Sequence, residues 1–203
     1  MANVLLDLDN TVTKVEPVLE KIANVFDKEH VDANDLKSYN LSDIFGITPE
    51  QDRFFWEHYG FEVIEKSIPN AVMIESIYEN IIKPEDDVYI ITARPKSQLE
   101  ITQAWVNRFQ LPHTEIILTG SHSKSGVIES LRIDTIIDDN PALFDEIMVV
   151  KDLFPKSFIS QSLNDKMMKR FVVDYGYNKD SISEFRIDRE TGVITNGIQS
   201  NGK

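Results

Sequence analysis

The sequence predicts an α/β fold, a parallel sheet with helices on both faces and a helical unit inserted after the first strand. Three observations carry this reading. Short apolar runs without polar alternation recur at Val4-Leu5-Leu6, Val88-Tyr89-Ile90-Ile91, Glu115-Ile116-Ile117-Leu118 and Thr135-Ile136-Ile137, as expected of strands buried on both faces. Helix-like segments alternate with the later runs. The stretch from Thr11 to Val88 is too long for a simple crossover, so a unit of its own must occupy it.

Taken in order, the first strand gives way to a helix over Val15–His30, with Val18, Ile22, Val25 and Phe26 at three- and four-residue spacing. Thr48 is a candidate cap for a helix opening at Pro49 and running through Phe54, Phe55 and Trp56, with Gly60 expected to end it. Val72, Ile74, Ile77 and Ile81 predict another helix stopping before Pro84. Leu99 to Phe109 reads as a helix after the second strand, and Lys124 opens one through Val127, Ile128 and Leu131 after the third. Ile147-Met148-Val149-Val150 is expected as a fifth strand, 164–173 as a helix, Arg186–Thr195 as a hairpin, and 196–203 as a frayed end. The resulting division is a catalytic core over 1–14 and 84–160, a helical cap over 15–83, and a C-terminal extension over 161–203 with no assigned role.

Composition sets outer limits. Of 203 residues, 41% are hydrophobic and 27% charged, which is ordinary for a globular chain. With no cysteine, disulfides, thiolate nucleophiles and cysteine metal sites are excluded. A formal net charge of -13 disfavours nucleic acid and anionic membranes as partners. The opening residues lack the pattern of a signal peptide and no run approaches a membrane span, so a cytoplasmic location is expected. The four histidines show no ligand spacing, and His122, two residues before Lys124, is given no role. Phe45, Phe54, Phe55, Trp56 and Tyr59 are expected chiefly as the core of the inserted unit.

Chemistry gathers where the strands end. The first strand runs into Asp7-Leu8-Asp9-Asn10-Thr11, the second into Thr92-Ala93-Arg94-Pro95, and the fourth into Asp138-Asp139-Asn140-Pro141, while Lys124 follows the third. Parallel strands bring such ends to one edge of the sheet, where ligands bind. An aspartate can attack phosphorus. A second carboxyl group can protonate the leaving alkoxide and then deprotonate water. A hydroxyl and an ammonium, Thr92 and Lys124, suit the phosphoryl oxygens. Clustered carboxylates suit Mg²⁺, a hard cation. Arg94 is expected to pair with an acidic neighbour.

These motifs, in this order, resemble the haloacid dehalogenase-like superfamily: a DxDxT first motif at Asp7–Thr11, then Thr92, Lys124 and Asp138-Asp139, over about residues 3–150. The resemblance implies a Rossmann-like core in which Asp7 is the nucleophile and Asp9 the general acid and base. Thr92 and Lys124, with Asn10 and Ala93 beside them, would bind the phosphoryl group. Mg²⁺ would sit on Asp7, the Asp9 backbone carbonyl, and Asp138 or Asp139. An aspartate at position 9 looks like a phosphatase or phosphomutase, because dehalogenases of this superfamily lack it and its transport ATPases carry threonine there. Phe55-Trp56-Glu57, Ile68-Pro69-Asn70-Ala71, Ile117-Leu118-Thr119-Gly120 and Ile137-Asp138-Asp139-Asn140-Pro141 are similar to the 5'(3')-deoxyribonucleotidase-like branch. Asn10, where glycine is common, is a departure, though asparagine tolerates the left-handed backbone. The expected function is therefore a Mg²⁺-dependent phosphomonoesterase acting on a small phosphate ester, a nucleotide first of all. Two alternatives stand beside it: a phosphatase on nucleic-acid 3' ends or sugar phosphates, and an idle domain that binds a phosphorylated ligand.

Overall fold

A computed structural model of the chain describes residues 1–120 and 123–198. One seven-stranded sheet organises it, in the order β3-β2-β1-β4-β5-β6-β7. The strands are β1 (Asn3–Leu6), β2 (Asp87–Thr92), β3 (Glu115–Leu118), β4 (Thr135–Asp138), β5 (Lys169–Val173), β6 (Phe185–Ile187) and β7 (Ile194–Asn196). All neighbours run parallel except β6 and β7. Both faces are covered, which explains the unalternated apolar runs. Val4 and Leu6 of β1 pack into a core with Val88, Ile90, Trp105 and Val106, while Leu5 joins Ile91, Ile128, Ile136, Phe144 and Ile147 on the opposite side.

Between β1 and β2 lie α1 (Glu16–Phe26), α2 (Leu41–Phe45), α3 (Pro49–Lys66) and α4 (Ala71–Asn80). Thr48 caps α3 in a full capping box with Gln51, as its spacing suggested. Phe55 is fully buried, Phe45 nearly so, and Trp56 and Tyr59 pack against them; Phe54 instead lies exposed against His58 at 4.1 Å. The chain leaves and re-enters the sheet through adjacent strands. Thr13 bridges Pro69, the Lys14 N–H donates to the Ile68 carbonyl at 2.8 Å, and the Asn70 N–H to the Val12 carbonyl at 2.8 Å.

The remaining helices are α5 (Leu99–Arg108), α6 (Ser125–Leu131), α7 (Pro141–Leu153) and α8 (Phe158–Asn164). Among the described residues no helix is long and apolar enough to cross a membrane.

Three local expectations are corrected. Ile147–Val150 is the middle of α7, not a strand: Asn140 caps that helix, Pro141 starts it, and Leu143, Phe144 and Ile147 form its buried stripe. The expected helix over 164–173 is the end of α8 followed by β5, with Lys166 at φ 55° breaking the chain direction between them. Gly60 does not end α3; it is a close-contact position where a Cβ would sit 2.9 Å from the Gln98 side-chain nitrogen. The hairpin over 186–195 is present as β6 and β7, and β5 to β7 place residues 169–196 on the β4 edge of the same sheet. Of the end expected to fray, residues 199–203 lie outside the described residues.

The turn after β5 presses on the inserted unit. At Gly176 a Cβ would stand 2.3 Å from the Leu36 carbonyl oxygen, a backbone atom that cannot yield alone. Gly176→Ala is therefore expected to cost about 1–3 kcal/mol, the usual range for overpacking, read as a lower urea midpoint at unchanged slope.

Candidate active site

β1 lies between β2 and β4; the chain leaves β1 toward β2 on one side and leaves the adjacent β4 toward β5 on the other, the switch-point arrangement at which open α/β sheets bind ligands. Leu6 pairs with both Ile90 and Ile137, so Asp7, Thr92 and Asp138 emerge at the carboxyl ends of three adjacent strands. The Asp7 N–H donates to the Ile137 carbonyl at 3.0 Å, carrying the ladder one residue further. Asn10 then turns the chain at φ 62°, the left-handed conformation that its short polar side chain tolerates.

Lys124, at the start of α6, lies buried between two carboxylates. Its Nζ donates to Asp7 Oδ1 at 2.6 Å and to Asp138 Oδ2 at 2.7 Å. The other Asp138 oxygen accepts the Asn140 N–H at 2.8 Å. Asp138 thus does not cap α7; Asn140 does, by accepting from the Ala142 N–H at 3.0 Å. Asp139 accepts from Thr11 Oγ1 and Asn10 Nδ2, both at 3.4 Å, and from the Tyr177 hydroxyl. Asp7, Asp138 and Asp139 are all buried, and each offers an oxygen within 4.8 Å of the others'.

Asp9 faces a different partner. Arg94, buried, donates from Nε to Asp9 Oδ2 at 2.8 Å and from its Nη2 to Oδ1 at 2.6 Å, while Thr92 Oγ1 donates at 3.3 Å. Thr102 receives a third Arg94 donor at 3.1 Å, which fixes the guanidinium plane. Arg94 thus pairs with an acid, as expected. Ala93 follows Thr92, half-buried in the turn after β2. His122 lies outside the described residues.

The electrostatics follow from burial and charge count. Burial pushes the Asp7 carboxyl well up, with Lys124 opposing and the neighbouring aspartates adding to the rise. Burial, then the Asp138 charge beside it, pushes Asp139 up to about 7. Asp9 goes the other way: partial withdrawal from water raises it, but the Arg94 charge and the Arg94 and Thr92 hydrogen bonds outweigh that and hold it below its ordinary value. Burial lowers Lys124, yet Asp138 and Asp7 together leave it raised. Three buried carboxylates share one ammonium, so the cluster is short of positive charge. That deficit, in an all-oxygen donor set, fits a divalent cation.

Several residues here carried no signal in the sequence. Tyr177, Tyr175 and Asn178 come from the turn between β5 and β6; Tyr175 donates to the Asn10 carbonyl at 2.9 Å and Asn178 Nδ2 to the Asp139 carbonyl at 2.8 Å. Tyr39, between α1 and α2, meets Tyr177 edge-on at 5.6 Å.

No family profile matches the sequence. A protein of Halalkalibacterium halodurans named "Putative nucleotidase" is 31% identical over 134 residues, 66% of this chain and 67% of its own length. A protein of Clostridium acetobutylicum named "Nucleotidase" is 22% identical over 89% of this chain and 91% of its own. Among solved structures, a HAD-superfamily hydrolase of subfamily IA from Geobacter sulfurreducens superposes with a TM-score of 0.50 at 12% identity, covering 94% of this chain and 93% of that one, a likeness of fold alone.

Proposed function

We propose that the chain, which belongs to the family of its Halalkalibacterium relative, is a Mg²⁺-dependent phosphomonoesterase of the haloacid dehalogenase-like superfamily acting on nucleoside monophosphates. The observation that carries the reading is the meeting of Asp7, Thr92 and Asp138 at three adjacent strand ends with Lys124 from the start of α6, and Asp9 held beside them. The nucleotide is supported by the names of the relatives.

In this mechanism the Asp7 carboxylate attacks phosphorus. An Asp7 oxygen–phosphorus bond forms as the ester oxygen–phosphorus bond breaks, and Asp9 gives its proton to the departing oxygen. Water then attacks phosphorus, Asp9 takes a proton from it, and phosphate leaves Asp7. Arg94 holds the Asp9 carboxylate in a fixed plane through both steps, while its side chain stays 49% exposed and so open to the leaving group; Thr92 turns its hydroxyl from Asp9 to the phosphoryl group when that arrives. Arg94 favours the ionised form at rest; an entering phosphoryl anion shifts that balance toward the protonated form needed for the first step. Lys124 and Thr92 take the phosphoryl oxygens, with Asn10 and Ala93 lining the approach. Asp7, Asp138 and Asp139, with the Asp9 backbone carbonyl, would hold Mg²⁺, which neutralises charge on the phosphoryl oxygens when bound.

Residues 15–83 serve as the cap over a core of 1–14 and 84–160, and the bridged segments at Thr13 and Pro69 act as its hinge. Residues 161–198 extend that core. The cap excludes bulk water and selects the leaving group.

The test is phosphate release from a panel of nucleoside 5'- and 3'-monophosphates, sugar phosphates and 3'-phosphorylated oligonucleotides, with Mg²⁺ and with chelator. The expected result is turnover of nucleoside monophosphates above the other classes and its loss in chelator. Equal rates in chelator would remove the metal from the account, and preference for oligonucleotide ends would replace the substrate.

A further inference from the structure

The C-terminal segment enters the site at one carboxylate. Tyr177 donates its hydroxyl to Asp139 Oδ2, and the next residue, Asn178, donates from Nδ2 to the Asp139 backbone carbonyl at 2.8 Å. Asp139 is thus gripped by side chain and main chain from one short turn. That turn is itself rigidly built. Asn178 Nδ2 also binds the Val173 carbonyl at 2.8 Å, its Oδ1 accepts the Tyr175 N–H at 3.0 Å, and Arg186 donates to its carbonyl at 2.9 Å. The Tyr175 and Tyr177 rings stack at 5.1 Å, nearly parallel at 7°, and Tyr175 reaches the Asn10 carbonyl in the loop that also holds Asp139.

We infer that Tyr177 is a positioning residue for the divalent cation: its hydroxyl fixes the plane of the Asp139 carboxylate, so that residues 175–178 complete the metal site from outside the family motifs. This rests on the phosphatase reading of the site. The physical reason is geometric. Besides Tyr177, the Asp139 carboxylate is met by Thr11 and Asn10, both at 3.4 Å, longer contacts that fix its plane less firmly. A half-buried phenol with its partner already in place orders that ligand before the cation arrives. Groups of this kind around metal ligands typically contribute about 10–100-fold in affinity.

Tyr177→Phe removes the hydroxyl and keeps the ring between Tyr175 and Tyr39, so the fold is expected to persist. Mg²⁺ binding to the whole chain is measured by calorimetry, and Mn²⁺ binding by electron paramagnetic resonance. The expected result is a dissociation constant raised about 10-fold or more, with the Mg²⁺ needed for half-maximal phosphate release raised in step and kcat largely recovered at saturating Mg²⁺. In an Asp139→Asn background the same substitution should add little, because its target is gone. Equal affinities in wild type and Tyr177→Phe would overturn the assignment of Tyr177 alone, as would an undiminished effect in Asp139→Asn. A wild-type protein that binds neither cation would overturn the metal reading of the site, and the role of Tyr177 with it.

Discussion

Asp7→Asn is expected to lower phosphate release from a nucleoside monophosphate by at least about 10³-fold, roughly 4 kcal/mol of barrier, while leaving the fold intact. The amide keeps the shape of the side chain and loses its capacity to attack phosphorus. Stability should move little or rise. Burial and the charges of Asp138 and Asp139 already work against an ionised Asp7, and the amide relieves that repulsion while giving up part of the Lys124 contact. Catalytic groups are commonly held at such a cost to stability. Activity and thermal melting measured on the same preparation check this, and a variant that melts with wild type but turns over normally would remove Asp7 from the chemistry.

Lys124→Met is expected to have the largest effect on the folded state. The ammonium is 2% exposed and sits between Asp7 and Asp138, which are 8% and 1% exposed at their side chains. Taking one partner from a buried charge cluster costs about 3–5 kcal/mol, because the carboxylates left behind have neither water nor counter-charge. For a chain of this size that corresponds to a fall in melting temperature of about 10 °C. A cation that enters the cluster replaces part of the missing charge. Mg²⁺ at about a hundred times its dissociation constant should return about 2.7 kcal/mol. At one Mg²⁺ concentration the rescue should be larger in the variant, whose uncompensated carboxylates bind the cation more tightly than wild type does, and phosphate release should stay low, since the phosphoryl oxygens lose their ammonium. Calorimetric melts of both proteins with Mg²⁺ and with chelator would show it; equal melting temperatures in chelator would contradict the electrostatic account of Lys124.

Much of this is legible in the sequence. β1 to β4 are apolar runs because both faces of the sheet are covered, and the polar residues that end them converge because the strands are parallel. Asp7, Thr92, Lys124 and Asp138 needed only that rule. Ile147–Val150 misled because a short apolar run looks alike in a helix and a strand. The deciding signals stood just upstream, in the Asn140-Pro141 cap and the Leu143, Phe144, Ile147 spacing. The partners of Asp9 and Asp139 were hidden for another reason. Arg94 lies 85 residues from Asp9 and Tyr177 lies 38 from Asp139, and neither pairing leaves a local pattern. Arg94 announced only that it sat beside a strand end. Tyr177 announced nothing, because its segment joins the site through the order of β4, β5 and β6 rather than through a motif.

The central claim is a covalent bond between Asp7 and phosphorus, and the most direct measurement is to trap it. The protein is mixed with a nucleoside monophosphate and Mg²⁺, quenched in acid during turnover, digested and mapped by mass spectrometry. The account predicts one phosphoryl group on the peptide carrying Asp7, sensitive to hydroxylamine and absent from Asp7→Asn. An active protein that carries no phosphoryl group at any time of quenching, or carries it on another residue, would contradict it.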